Sequence, residues 1–338
     1  MTDAGEMQAA LEAYLAAQMP DARAVGVEDL LPIASVGNAR RPWSFTVTYD
    51  VGRARHRRRC VMLLQAEAGQ LESDVKIEFA TLRAVEPAGV PVPHALWAER
   101  DGRVLGGPFL ITELVEGTAD MSLLRRSVDD PAPRAIASGL ADAAARLHAI
   151  DVRTPALDHL SAVTPDRAAA AQLDHWQAIY LRQRLESLPA MAFAFDWLRA
   201  HQPVAARVSV VHGDLRFGNV LYDGDRVTAL LDWEMVHLGD PVEDIAWANR
   251  SVWSLERWLS LDDFVARYEA QSGIRVDRDN LRWYRLFNEV KHGVISLTAA
   301  RSFADRRTRF IRHADRASTL TAFMQRFLEL LPAEEASA

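Results

Sequence analysis

Within the 338-residue chain, the side chains best suited to chemistry lie in His212-Gly-Asp-Leu-Arg-Phe-Gly-Asn219 and, thirteen residues further on, in Asp232-Trp-Glu234. Asp214, Asn219 and Asp232 offer two carboxylates and an amide. Such oxygen donors suit a hard divalent cation held by one carboxylate and the amide, while the other carboxylate orients a hydroxyl. Phosphoryl transfer needs both, because there the protein contributes positioning and charge neutralisation more than covalent chemistry.

For that chemistry the three groups must meet. Residues 208–211 read as a short buried strand and 220–222 as another; Asp223-Gly-Asp225 turns the chain and residues 227–231 return antiparallel. That hairpin brings Asp214, Asn219 and Asp232 to one end. Their order is the protein-kinase one: a catalytic-loop Asp, an Asn five positions on, and a metal-binding Asp opening the next loop. Turn chemistry alone accounts for single Asp and Asn residues, but not for the whole ordered series.

With His-Gly-Asp and Asp-Trp-Glu replacing the kinase triplets, and continued by Gly239-Asp-Pro-Val-Glu-Asp244-Ile-Ala, the pattern resembles the aminoglycoside phosphotransferase-like family of small-molecule kinases. The resemblance implies an α+β, bilobal, protein-kinase-like fold. Residues 1–116 would form a small antiparallel nucleotide-binding lobe, and residues 117–338 a larger helical lobe for catalysis and acceptor binding. It also implies ATP and Mg2+ as cofactors, with a hydroxyl of a small molecule as acceptor. Asp214 would be the catalytic residue at that hydroxyl, His212 would brace the loop, and Asn219 and Asp232 would hold the metal. Asp244 has two readings: a favourable place near a helix dipole, or, as the resemblance implies, an anchor for the catalytic loop.

The N-terminal elements follow from periodicity. Residues 6–18 carry Met7, Leu11, Tyr14 and Leu15 at helical spacing, and residues 33–49 read as strand, loop, strand. In the family such a loop covers the nucleotide phosphates, which makes Gly37 and Asn38 candidates; an ordinary hairpin loop fits the same residues. On the third strand, residues 59–65, Leu63 or Leu64 falls where the family carries a phosphate-contacting Lys or Arg. Glu78, the expected partner of that cation, shares the apolar face of a helix capped at Ser73 with Val75, Leu82 and Val85. A carboxylate there is costly unless paired. Arg40, Arg41, Arg58 or Arg59 could supply the cation, or Glu78 sits at a solvated edge. Glu113-Leu-Val-Glu-Gly117 reads as the crossing between lobes, with Glu113 and Val115 as candidate backbone contacts to adenine.

Beyond the crossing, residues 134–150 form a core helix whose His148 reads as structural. Residues 166–186 and 189–201 form two more, with Trp176, Tyr180, Phe193, Phe195 and Trp197 read as core. This insertion ahead of the catalytic loop points to small-molecule substrates. Residues 262–338 hold 13 basic and 11 acidic side chains in a chain of net charge −7. Arg301, Arg306, Arg307, Arg309, Arg312 and Arg316 there favour a neutral or anionic acceptor over a polycationic aminoglycoside.

The balance of 49% hydrophobic and 25% charged residues describes a soluble globular protein. No apolar run reaches the roughly 18 residues a membrane span needs, and the N-terminus lacks a secretory pattern. A lone Cys60 excludes an internal disulfide, so the expected compartment is the cytoplasm. The negative charge argues against nucleic acid as partner; oligomeric state is not legible. Two rivals remain: a pseudokinase serving as a nucleotide-binding or scaffolding module, favoured by the missing third-strand cation, and a metal-dependent hydrolase using His212, Asp214 and Asp232.

Overall fold

The computed structural model describes residues 4–33, 40–65, 74–124 and 130–332. Helix α1 (Ala4–Gln18) is followed by β1 (Arg23–Pro32), β2 (Arg40–Val51), β3 (Ala54–Gln65), helix α2 (Val75–Val85), β4 (Ala95–Glu99) and β5 (Phe109–Glu113). The five strands pair antiparallel in the order β1-β2-β3-β5-β4. Alternation turns Phe45 and Val47 of β2, Cys60 and Met62 of β3, and Phe109 and Ile111 of β5 into one core, which Leu11 and Leu15 of α1 join.

The first strand lies upstream of where its sequence suggested. Its register against β2 shifts between Arg23 and Gly26 and again between Glu28 and Leu31. Ala24 and Asp29 take positive φ values of 48° and 55° at those irregularities. Two bulges in ten residues destroy the period-2 signal, so the alternation became visible only past them.

The chain separates into two compact units, Met1–Arg83 with Pro93–Val115, and Ala84–Val92 with Glu116–Ala338. Residues 84–92 go with the second unit, where the Leu230 amide donates to the Pro91 carbonyl at 2.7 Å. That unit contains α3 (Met121–Leu124), α4 (Ala132–Ala149), α5 (Ala168–Gln183), α6 (Pro189–Ala200), β6 (Ser209–Val211), β7 (Val220–Asp223), β8 (Arg226–Leu230) and β9 (His237–Gly239). Helices α7 (Val242–Ala248), α8 (Leu261–Ser272), α9 (Arg278–Ala304), α10 (Ile311–Asp315) and α11 (Leu320–Leu330) complete it.

The 27-residue α9, capped by Asp277 accepting from the Asp279 and Asn280 amides, is the central post; α5, α6, α7, α10 and α11 all pack on it. Trp176, Tyr180 and Phe195 are core as expected, but Phe193 is exposed. It lies two positions before Phe195, on the far side of α6.

Candidate active site

Strand β6 pairs with β9 and β7 with β8, so the loop between β6 and β7 is held at both ends. Gly213 opens it with φ +81°, and a Cβ there would overlap the Met235 carbonyl oxygen, so no other residue fits. The next group in is Asp244, on α7. Its carboxylate accepts the backbone N–H groups of His212 at 2.7 Å and Gly213 at 2.9 Å, and lies 3.1 Å from His148 Nε2. His148 is held in turn by the Tyr268 hydroxyl at 3.0 Å. Burial alone would raise the Asp244 pKa; its contacts with His148 and His212 outweigh that and lower it. Of the two readings of Asp244, the anchor is the one the geometry carries.

Lys291 of α9 grips the same turn from the other side. Its ammonium donates to the Gly213 carbonyl at 2.6 Å and to Glu243 at 2.9 Å, over the face of Trp247. Burial works against the Glu243 charge, yet Lys291 and His237 hold its pKa at about 2. His212 is fully buried against Trp233, and its Nδ1 accepts the Asp214 amide at 3.2 Å. Burial lowers its pKa, so it braces the loop as a neutral ring.

Asp214 is thereby presented in a ring of donors. Trp247 Nε1 reaches Oδ1 at 2.6 Å, Asn219 Nδ2 reaches Oδ2 at 2.6 Å, and Arg216 Nε lies 3.1 Å from each oxygen. Asn219 also donates to the Asp214 carbonyl at 3.0 Å, so its amide nitrogen is committed and its oxygen is the atom left for a cation. Across the hairpin Val220 faces Leu230, and the Leu231 amide donates to the Asn219 carbonyl at 2.8 Å. Asp232 follows directly, with φ +67°. An αL conformation at a non-glycine residue is a strain kept where the surroundings demand it.

In the first unit Glu78 is buried and paired. Arg40 Nη1 donates to Glu78 Oε2 at 2.6 Å, and its second nitrogen takes the other oxygen. Arg40 lies opposite Gln65, two residues beyond Leu63 on β3, so Arg40 and Leu63 stand on one face of the sheet. The partner of Glu78 thus comes from β2 and not β3, and the solvated-edge reading of Glu78 is corrected. Glu113 ends β5, where Arg58 pairs with it at 3.2 Å and its amide donates to the His94 carbonyl; Val115 follows, half-buried. Gly37, Asn38 and Ser73 lie outside the described residues.

Trp247, Arg216 and Lys291 were not picked out from sequence. Lys291 had a signal, being one of two lysines in an arginine-rich chain. Among the described residues no three His, Cys, Asp or Glu side chains are arranged to hold a metal, and His212 Nδ1 is occupied. The described residues thus give the hydrolase rival no grouped set of three ligands, while His212 Nε2 is left without a partner. Of the tail arginines, Arg301 and Arg307 pair with Asp305, Arg306, Arg309 and Arg312 are exposed, and Arg316 reaches His292.

Residues 38–287 match the model of the phosphotransferase enzyme family. "Probable acyl-CoA dehydrogenase IBR3" of Arabidopsis thaliana is 31% identical over 274 residues, 72% of this chain and 33% of that protein. The chain spans a third or less of the length of the first such curated relatives. Among solved structures, a "putative aminoglycoside phosphotransferase" from Ralstonia eutropha JMP134 is matched over 95% of this chain and 97% of that one, with TM-score 0.71 and 23% identity. A thermostable mutant of aminoglycoside phosphotransferase APH(4)-Ia, in ternary complex with ADP and hygromycin B, is matched over 95% and 98%, with TM-score 0.62 and 18% identity. The α+β, protein-kinase-like fold is common to them and to this chain.

Proposed function

The chain belongs to the phosphotransferase enzyme family, and we propose that it moves the γ-phosphate of ATP to a hydroxyl of a small molecule, with Mg2+ as cofactor. The observation that carries this reading is Asp214 fixed 2.6 Å from Asn219 by a loop tied to Asp244 and Lys291. Asp214 orients the acceptor hydroxyl and takes up its proton. Asn219 Oδ1 and Asp232 would hold the metal; two oxygen donors, one charged, fit a hard cation that keeps several waters. When bound, Mg2+ neutralises charge on the phosphates. Arg40, fixed by Glu78, faces the phosphates in place of the β3 cation, and the backbone around Glu113 and Val115 receives the base. An Arg40 in this role would also weaken the best support for a module without turnover, the missing third-strand cation.

No helix among the described residues is long and apolar enough to cross a membrane. Cys60 is buried and in no disulfide, its pKa pushed up to about 12 by desolvation, which makes it an inert thiol; we place the chain in the cytoplasm on its cysteine usage alone. For the acceptor we propose a neutral or anionic hydroxyl compound in preference to a polycationic aminoglycoside. Asp214→Asn is expected to abolish transfer from γ-labelled ATP to a hydroxyl-compound library while nucleotide binding remains. Asp232→Asn should weaken binding of Mg2+-ATP measured by thermal shift. Undiminished transfer by Asp214→Asn would remove the acceptor role, and saturable kanamycin phosphorylation at micromolar substrate would overturn the exclusion of aminoglycosides.

A further inference from the structure

Beside Asp214 the second unit gathers several arginines around one aromatic cluster. Trp247, bonded to Asp214, packs 5.8 Å from Trp253 and 5.8 Å from His292. Arg216 lies 5.0 Å over Trp253; Arg250 lies 5.0 Å over Trp247 and 5.6 Å over Trp253; Arg326 lies 4.8 Å over Phe323, which stacks on His292 at 4.3 Å. Four guanidinium groups, those of Arg216, Arg250, Arg316 and Arg326, thus share one aromatic cluster. The carboxylates bonded to them are Asp214, on Arg216, and Glu289, which Arg250 grips at 3.0 and 2.7 Å and Arg326 at 3.0 Å.

His292 sits between two of these arginines. Arg250 approaches its Nδ1 and Arg316 lies 3.4 Å from its Nε2. A neutral imidazole accepts at one nitrogen only, so one of these contacts sets donor against donor. Burial and the surrounding arginines drive the ring's pKa down to about 2, so it cannot relieve the crowding by losing a charge. Among the buried polar atoms left without a partner here, Trp253 Nε1 and Arg326 Nη2 are donors and Asn249 Oδ1 is an acceptor. Glu256, Glu289 and Glu329 line the pocket that Arg250 and Arg326 share and balance those two; Arg316, whose contact here is with His292 and not with a carboxylate, and two idle N–H donors leave room for an acceptor of negative charge.

We infer that this cluster is a subsite for an anionic group, carboxylate or phosphate, on the acceptor whose hydroxyl Asp214 orients, with Arg316 and Arg326 at its rim and Arg250 as its floor. The inference rests on the phosphotransferase reading of Asp214. It makes the acceptor an anionic hydroxyl compound, and the separation of Asp214 from the arginines limits how far hydroxyl and anion stand apart. Arg216, which touches both Asp214 and Trp253, couples the two halves of the site.

Three titrations of the full chain decide it, followed by tryptophan emission and melting temperature: inorganic phosphate, glycerate and uncharged glycerol, each at constant ionic strength. Phosphate and glycerate should perturb the emission and raise the melting temperature, and glycerol should do neither. Arg316→Gln, an exposed change that leaves the core intact, should weaken the anion response about ten-fold or more, the effect of one lost charge-assisted hydrogen bond. Arg309→Gln, also exposed but outside the cluster, should leave it unchanged. Anions acting no differently from chloride, or a response indifferent to Arg316→Gln, overturns the subsite. A Mg2+-ATP titration in parallel keeps the two conclusions apart. Nucleotide binding with transfer only to neutral or cationic acceptors sinks the subsite and spares the phosphotransferase. Anion binding without nucleotide binding sinks the phosphotransferase and, with it, the assignment of the anion to an acceptor.

Discussion

Replacing Asp244 by Asn tests how the catalytic loop is held. The carboxylate accepts two backbone N–H groups, from His212 and Gly213, and faces His148, all inside a fully buried pocket. Hydrogen bonds to a buried charge contribute about 1.5–3 kcal/mol each. Asparagine offers one carbonyl oxygen, so it can keep one of these N–H bonds, now as a neutral one. The other meets an NH2 group, and an unsatisfied buried donor costs about 1–3 kcal/mol. Together these give a loss of about 3–5 kcal/mol, or about 6–20 °C in melting temperature at the roughly 2–4 °C per kcal/mol of a domain this size.

Urea unfolding of Asp244→Asn at neutral pH measures the first quantity, and single-turnover transfer measures whether Asp214 still meets the acceptor. The rate should fall more than the affinity for nucleotide. Had Asp244 served only the α7 dipole, the substitution would cost about 0.3–1 kcal/mol. A loss of that size with an undiminished rate refutes the anchor.

Three further outcomes are expected. Arg40→Leu leaves Glu78 charged and buried, so the first unit should lose about 3–5 kcal/mol and nucleotide affinity with it. Adding Leu63→Lys, on the same face, should restore part of both, and calorimetric titration with Mg2+-ATP reads the recovery. Gly213→Ala should cost about 3 kcal/mol or more, from positive φ and overlap with Met235; a soluble variant of wild-type stability would mean that the turn relaxes freely. Asp240 has its pKa raised by burial to about 6. Raised above its unfolded value, it contributes stability below about pH 4 that is lost as pH rises through 6. Asp240→Asn should remove that dependence, so the variant gains on the wild type between pH 4 and 7 in urea midpoints; a constant difference across the window would speak against it.

What could be read from the sequence was what is local in it. The spacing of Asp214, Asn219 and Asp232 is set around one hairpin, which is why their meeting at one end of it was legible. The partner of Glu78 was open among four arginines, because strand register puts Arg40 opposite Gln65 and no residue pattern states a register. Lys291 grips a carbonyl 78 positions away, a relation that only the packing of α9 creates. The arginines near Asp214 were sought in the tail, yet of the six named there only Arg316 joins the cluster, the other five pairing with Asp305 or facing solvent, while Arg250 and Arg326 were not named. Strand β1 was hidden by its own bulges.

Arginine at position 40 also decides which reagents can see this protein. Lysine-directed nucleotide probes work by acylating an amine held beside the phosphates, and a guanidinium does not form that stable amide. Of the two lysines, Lys291 is buried against Gly213 and Glu243, and Lys76 lies on the exposed side of α2 with its ammonium on the Ala98 carbonyl. On the function proposed above, surveys that count kinases by lysine acylation would pass over this chain with a nucleotide bound. An arginine-directed dicarbonyl, with protection by nucleotide as the criterion, is the reagent that would register it.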